Sequence, residues 1–233
     1  MKNSTPIKRL SLIASGVALS TCVLAVDRAN AQPIVLDFEG LQNFEEILDF
    51  YNNGTGSLGS SGTNYGVSFS ANSLAIIENV AGGSGNIGGL PSPVTAAFFL
   101  SGAANTMNVA GGFETGLSFF YSAVNNPGFV TIYDGLDGTG NVLATINLPT
   151  TPNGGGDPAC NFNNFCPFVP VGVTFNGIAK SVDFGGSVNQ IGFDNIEITL
   201  VSRTTVPEPA SVLGLLAIGA LGAGSALTRK LLK

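Results

Sequence analysis

Residues 190–200 read QIGFDNIEITL, and the fold can be worked out from this stretch. Apolar side chains alternate with other residues on both sides of Asp194-Asn195, as in a strand with one buried face. Phe193 and Ile196 are three positions apart, so they would lie on opposite faces of a regular strand. One extra residue at Asp194-Asn195 brings them to the same face, and we therefore predict a β-bulge there.

Nine further apolar runs precede this one at spacings near ten residues, with glycine-rich turns between them. They are residues 34–39, 66–70, 74–78, 96–100, 117–123, 129–134, 142–148, 169–175 and 180–184. Ten short strands without a long helical pattern are typical of an all-β protein. We predict a single antiparallel β-sandwich over residues 32–201. One short helix is predicted at residues 43–51, where Phe44, Ile47, Leu48 and Tyr51 recur at helical spacing.

The charges of the chain exclude several classes of function. Residues 32–206 contain thirteen acidic residues against Lys180 and Arg203, a net charge of −11, which does not suit nucleic acid. Histidine is absent from the whole chain. Ser–His–Asp and Cys–His nucleophiles and His-ligated metals are therefore excluded.

The first 31 residues have the three parts of a secretory signal peptide. Lys2, Lys8 and Arg9 form a basic start, residues 10–26 are an apolar run, and Ala29-Asn30-Ala31 has the small residues of a cleavage site. We predict cleavage after Ala31, with Ala29 and Ala31 recognised by the peptidase. The alternative is a retained N-terminal membrane anchor.

The C-terminal region, residues 202–233, carries an apolar segment and a basic end. Residues 210–227 are eighteen residues without a charge, followed by Arg229, Lys230 and Lys233. As a helix this segment is about 27 Å long, slightly short of a hydrocarbon core of about 30 Å. We predict a transmembrane helix with the basic tail in the cytoplasm and the main domain outside.

Immediately before this segment stands Pro207-Glu208-Pro209. A Pro-Glu-Pro tripeptide, a short helix rich in Ala, Gly and Leu, and a terminal Arg/Lys cluster together resemble the PEP-CTERM sorting signal. The resemblance implies that an exosortase recognises Pro207, Glu208 and Pro209, cuts there and passes the protein to the cell surface. It also implies a host with two membranes that makes extracellular polysaccharide. The membrane contact would then be transient.

The segment 191–196 resembles the last strand of jelly-roll, carbohydrate-binding-type sandwiches. In such folds an Asp on the last strand and an acidic residue near the first strand often hold a structural calcium ion. The resemblance therefore implies a calcium site at Glu39, which ends the first predicted strand, and Asp194. Carboxylate oxygens with backbone carbonyls at a bulge suit calcium. The alternative is that Asp194-Asn195 is a solvated bulge.

Residues 133–140 read YDGLDGTG and join two apolar runs. Asp-Gly pairs are typical of hairpin turns, because glycine supplies the positive φ that the reversal needs. A calcium loop of the EF-hand type needs acids at every second position and a closing Glu, which this segment lacks. We therefore predict a turn.

Cys160 and Cys166 are the two cysteines that remain after signal removal. In an oxidising compartment we expect a disulfide between them, which would constrain the unfolded chain by roughly 2 kcal/mol. A catalytic thiol would need a neighbouring base, and the chain has no histidine.

Two functions from different classes remain. The composition favours a non-enzymatic surface or matrix protein, which could bind polysaccharide through Tyr51, Tyr65, Tyr121 or a Phe. The alternative is a carbohydrate-active enzyme: Asp37 and Glu39 are two positions apart on the first predicted strand, so they share a face, and glycoside hydrolysis needs paired carboxylates. We expect no catalytic residue and no cofactor apart from the calcium ion.

Overall fold

The computed structural model describes residues 33–201. The predicted signal peptide, the sorting signal and the transmembrane helix predicted at residues 210–227 lie outside the described residues. Within residues 33–201, no helix has the length and apolar character needed to span a membrane.

The described residues form ten β-strands and two turns of 3₁₀-helix. The strands are β1 (Pro33–Leu36), β2 (Val67–Phe69), β3 (Ser73–Ile77), β4 (Thr95–Phe99), β5 (Ala104–Ser122), β6 (Gly128–Tyr133), β7 (Val142–Leu148), β8 (Val169–Thr174), β9 (Ala179–Gly186) and β10 (Gly192–Leu200). The 3₁₀ turns are Asn79–Ala81 and Pro158–Cys160. All pairs between these strands are antiparallel. The prediction of an all-β, antiparallel fold is confirmed.

The long strand β5 belongs to two layers of the fold. Its first part pairs with β2 and β9, and β9 continues the layer through β6 to β7. Its second part pairs with β8 and β10, and β10 continues through β4 to β3. Strand β1 pairs with the C-terminal half of β10. The change of partners falls between Asn108 and Phe113, where the register shifts and Gly112 has a φ of 81°.

The two layers enclose a core rich in phenylalanine. Phe184 of β9 contacts Phe119 of β5 at 5.5 Å and Phe193 of β10 at 5.0 Å between ring centroids, both edge to face. Such pairs add about 0.5–1.5 kcal/mol to the free energy of burial. The bulge in β10 is confirmed: the register shifts between Asp194 and Glu197, and Ile196 is as buried as Phe193.

A smaller apolar cluster lies on the other face of β3 and β4. It consists of Ile76, Ile87, Ala96, Phe98 and Phe168, with Leu74, Leu90, Phe120 and Phe165 packed against it. The segment around the disulfide takes part, since Phe165 forms a bridge with Ile87. Cys160 and Cys166 are joined, as predicted.

The prediction of a helix at residues 43–51 is wrong. The segment forms turns, and Phe44 and Leu48 have φ values of 62° and 45° in the left-handed region. The N–H of Phe44 donates to the carbonyl of Ala75, and that of Ile47 to Ser73, so the segment is tied to β3. Ile47 and Tyr51 are buried and Leu48 is half-buried, whereas Phe44 is exposed, so the apolar spacing does not mark one buried helix face.

The prediction of a turn at residues 133–140 agrees with the structure. The Asp134 N–H donates to the Asn141 carbonyl at 3.1 Å, and Asp137 and Gly138 both have positive φ. The Asp134 carboxylate accepts from the Asn141 N–H and side-chain amide at 2.7 and 2.8 Å. These two hydrogen bonds close the hairpin between β6 and β7, and the Asp134 carboxylate acts in them as a turn residue.

Candidate functional site

The first strand ends earlier than the sequence predicts, which changes the relation of Asp37 and Glu39. β1 ends at Leu36, and Phe38 follows in the left-handed region with a φ of 61° although its side chain is fully buried. Asp37 and Glu39 therefore do not share a strand face, and that interpretation is wrong. A bulky residue with such a φ is strained and marks a segment held in place by its surroundings.

Glu39 is directed to the start of β4. Its Oε1 accepts from the backbone N–H groups of Val94 and Thr95 at 2.9 and 2.8 Å. The Thr95 hydroxyl donates to Oε2 at 3.3 Å. Two backbone N–H groups and one hydroxyl thus hold the Glu39 side chain at the start of β4.

Asp194 reaches the same place from the bulge of β10 and is completely buried. Its Oδ2 accepts from the Ser92 hydroxyl at 2.7 Å and from the Ser92 N–H at 3.2 Å, and its Oδ1 accepts from the Asn195 N–H at 2.7 Å. Burial raises the pKa of Asp194 to about 7 against the lowering effect of these hydrogen bonds, and the charge of Glu39 raises it further.

Ser92 joins the two carboxylates. Its Oγ lies 2.7 Å from Asp194 Oδ2 and 3.3 Å from Glu39 Oε1. A hydroxyl has a single hydrogen, so it serves one ionised carboxylate at a time. A proton on Asp194 lets Ser92 accept from Asp194 while donating to Glu39.

Asp37 and Tyr51 lie on the outer side of this pair. Tyr51 is buried, its phenolic oxygen accepts from the Phe38 N–H at 2.7 Å, and burial raises the pKa of Tyr51. Asp37 is exposed, and its Oδ1 accepts from the Glu39 N–H at 3.2 Å. A polar pocket of about 240 Å³ opens here, lined by Asp37, Glu39, Tyr51 and Tyr65 among others.

Glu39, Ser92 and Asp194 carry oxygen atoms of the kind that calcium binds. Two carboxylates and a hydroxyl meet, and Asn195 Oδ1 is buried without a hydrogen-bond donor from residues 33–201. No group of three or more His, Cys, Asp and Glu side chains placed to hold a metal occurs in this part of the chain. Two carboxylates are therefore the most that the described side chains offer here.

Glu39 and Asp194 lie together as the sequence predicts, but the residues that bridge them are not predicted by it. Ser92, Val94 and Thr95 lie more than 50 positions from Glu39 along the chain. A signal was present in Pro91-Ser92-Pro93, because flanking prolines hold a polar residue extended and keep it out of strand pairing.

The three tyrosines named as sugar-binding candidates are mostly inaccessible. Tyr51 and Tyr121 are buried, and the Tyr121 hydroxyl donates to the Pro149 carbonyl at 3.1 Å. Tyr65 is half-buried and stacks on Tyr51 with centroids 6.1 Å apart. The exposed aromatic side chains of the described residues are phenylalanines.

A groove of about 340 Å³ on the smaller apolar cluster includes one of these exposed side chains. Phe44, Phe98 and Phe165 line it together with polar, uncharged side chains, namely Ser84, Asn86, Asn189 and Gln190. We call it the Phe44 groove. Phe44 is 47% exposed, and its ring lies 6.0 Å from that of Phe98.

Comparison with known families finds the PEP-CTERM protein-sorting motif at residues 205–230. The matched segment contains Pro207, Glu208, Pro209, Arg229 and Lys230, so the resemblance seen in the sequence is confirmed for this region. The motif indicates an exported protein that is sorted to the cell surface. No curated protein matches the chain.

Comparison with solved structures finds β-sandwich adhesin and carbohydrate-binding domains. The K2 cleaved adhesin domain of Lys-gingipain matches with a TM-score of 0.42 and 13% identity, over 72% of this chain and 100% of that one. A module from Clostridium stercorarium in complex with cellobiose matches with a TM-score of 0.33 and 16% identity, over 49% of this chain and 81% of that one. A Bacillus subtilis arabinoxylan arabinofuranohydrolase in complex with cellotetraose matches with a TM-score of 0.34 and 15% identity, over 56% of this chain and 25% of that one. At these identities and TM-scores the similarity carries no information on activity or ligand.

Proposed function

We propose that this chain is a non-enzymatic surface protein, processed by an exosortase, whose domain at residues 33–201 binds polysaccharide. The observation that carries the sorting part is the PEP-CTERM motif at residues 205–230, at the end of a chain that starts with the pattern of a signal peptide. Binding is supported by the Phe44 groove, which combines the exposed ring of Phe44 with neutral amides.

The positions of the acidic side chains argue against glycoside hydrolysis. That reaction needs two carboxyl groups about 5–9.5 Å apart that both face the substrate. Glu39 accepts three hydrogen bonds from Val94 and Thr95, and Asp194 is completely buried. Asp37 and Glu39 line the same pocket, but both oxygens of the half-buried Glu39 carboxylate accept hydrogen bonds from the protein, so Asp37 is the one exposed carboxylate of this group.

The proposal includes a structural calcium ion held by Glu39 and Asp194. The support is electrostatic: Asp194 is buried, and Lys180 is the one basic residue of residues 33–201. Lys180 is exposed on β9 and contributes, after the hydrogen bonds from Asn141, to the lowered pKa of Asp134. A divalent cation would supply the positive charge that the pair lacks.

The sorting proposal is tested by the intact mass of the surface form. We expect a chain that starts at Gln32 and ends close to Pro209. Replacing Pro207-Glu208-Pro209 with alanines should leave export intact but keep the uncut protein at the inner membrane. The matched control replaces residues 202–204, just before the motif, with alanines and should be processed normally.

A surface form that still contains residues 215–233 would contradict exosortase processing. The non-enzymatic part has its own test, in which the surface form is incubated with the polysaccharides that it binds. Release of new reducing ends that is abolished by Asp37→Asn would show catalysis instead.

A further inference from the structure

We infer that the Phe44 groove is the binding site for a chain of neutral polysaccharide. The inference rests on the proposed function, because it names the site and the ligand class of the binding proposed above. Three features carry it: an exposed aromatic ring held in a strained conformation, free amide groups beside it, and the absence of charge from the groove lining.

Phe44 is fixed from both sides by backbone and side-chain bonds. Its N–H donates to the Ala75 carbonyl at 2.8 Å. The preceding Asn43 accepts from the Ile77 N–H at 3.0 Å and donates to the Ser84 hydroxyl at 2.7 Å. The ring is therefore held at the groove before any ligand arrives, which lowers the entropy lost on binding.

The next residue, Glu45, fixes the loop more strongly. Its carboxylate is completely buried and accepts from the N–H groups of Gln42, Leu58 and Ser60 at 2.7, 3.0 and 3.0 Å. This loop keeps Phe44 in the left-handed region, with a φ of 62° and 47% of the side chain exposed. Phe162 has the same positive φ and is also exposed, so the feature that distinguishes Phe44 is its place in the lining of the groove.

The polar side of the groove offers unused hydrogen-bonding groups. Asn189 lies on the turn before β10, where its N–H donates to the Phe99 carbonyl at 2.9 Å. Its side chain has no hydrogen-bond partner within residues 33–201, and neither has the Nδ2 of Asn86, whose Oδ1 accepts from Asn164. Amides both donate and accept, as the hydroxyl groups of a sugar do.

Charge selects a neutral ligand. None of the residues that line the groove is charged. The exported part of the chain, residues 32–206, has a net charge of −11, which would repel an anionic polymer. Aromatic faces next to uncharged amides match a sugar ring, which has an apolar face and a rim of hydroxyl groups.

The test compares two exposed phenylalanines of the same conformation. Phe44→Ala removes the ring from the groove, and Phe162→Ala is the matched control. Phe162 is 65% exposed with a φ of 61°, but it does not line the groove. Phe44→Tyr keeps a ring and should keep binding. Asn189→Gly removes an amide and retains the positive φ that this position needs (58°).

The full chain in mild detergent is assayed by depletion and affinity electrophoresis against amorphous cellulose, xylan, laminarin and dextran, with alginate as the anionic comparison. We expect binding to at least one neutral polysaccharide. Phe44→Ala should weaken it at least tenfold and Asn189→Gly several-fold, while Phe162→Ala and Phe44→Tyr stay within twofold of the wild type. Thermal melts of the variants separate loss of the site from loss of the fold.

Other outcomes overturn the inference in distinguishable ways. If the wild type binds a polysaccharide and neither Phe44→Ala nor Asn189→Gly weakens that binding, the binding site lies elsewhere. The proposed function is then unaffected. No binding to any polysaccharide overturns both, and binding to alginate alone overturns the neutral ligand class. If light scattering shows a dimer of the wild type and a monomer of Phe44→Ala, the groove is an interface between two copies of this chain.

Discussion

Without metal, the stability of the domain should fall as the pH rises from 5 to 7, because of Asp194. The pKa of this carboxyl is 3.8 in the unfolded chain and about 7 in the folded one, since burial disfavours its charge. Between these values the folded state holds a proton that the unfolded state has released. The free energy of unfolding therefore decreases with rising pH in this window and is independent of Asp194 above and below it.

The size of the effect follows from the two pKa values. Each pH unit well inside the window corresponds to about 1.4 kcal/mol, and the slope falls to half of this at the folded-state pKa, so the loss of stability from pH 5 to 7 is about 2 kcal/mol. Below pH 5 a second group adds an opposite slope. Glu45 is buried, which alone would raise its pKa, but the hydrogen bonds from Ser60, Gln42 and Leu58 lower it below 4.5. The range from pH 5 to 7 therefore isolates Asp194.

The measurement is urea unfolding, followed by circular dichroism, at several pH values in EDTA with the disulfide intact. Asp194→Asn removes the titrating group and should give a flat profile from pH 5 to 7. Asp37→Asn changes an exposed neighbour of the same type and should keep the wild-type slope. A wild-type stability that is constant or rises over this range would refute the assignment of a raised pKa to Asp194.

The same experiment with calcium tests the metal proposal. Calcium binds the ionised pair, so at pH 7 and a hundredfold excess over Kd it should add about 2.7 kcal/mol and remove most of the slope. Superimposable curves in EDTA and in calcium would refute a calcium site at Glu39 and Asp194, whatever the pH dependence.

Two further predictions concern other parts of the domain. Alkylation of the exported protein should leave Cys160 and Cys166 unmodified until a reductant is added, and free thiols would contradict the disulfide. Gly83→Ala should destabilise the domain by about 1–3 kcal/mol, because its Cβ would lie against the backbone carbonyl of Ile77. Gly156→Ala, with open space around the added carbon, should change the free energy of unfolding by less than about 0.5 kcal/mol, and equal effects of both in urea unfolding would contradict the packing argument.

Each of the ten apolar runs in the sequence overlaps an observed strand, because burial of one face imposes the alternation. The main omission is the first half of β5, residues 104–116, which is rich in Ala, Gly, Asn and Thr. It is a strand because β2 and β9 supply hydrogen bonds on its two edges, and it buries Met107 and Val109. Pairing partners of this kind are not visible in a local window.

In the candidate site, too, features that depend on neighbouring residues could be predicted, and contacts between residues far apart in the sequence could not. Asp194 could be found because the bulge leaves a mark in the alternation of residues 190–200. Its bond to Ser92 spans 102 positions, and nothing near either residue indicates the other. The apolar spacing at residues 43–51 predicts a helix that does not form for a related reason: contacts with β3, distant in sequence, decide the conformation of Phe44.

Composition explains why the carboxylates of the site are held by amides and by the hydroxyls of Ser92 and Thr95. With Lys180 as the one basic residue in residues 33–201, a buried carboxylate has to be stabilised by other groups. Glu45 has three N–H donors, and its pKa is lowered. Asp194 has two N–H donors and a hydroxyl shared with Glu39, and its pKa is raised. Asp194 is therefore the position at which this acidic domain gains most from a proton or a cation, and that makes its response to pH and calcium the most direct measure of the site.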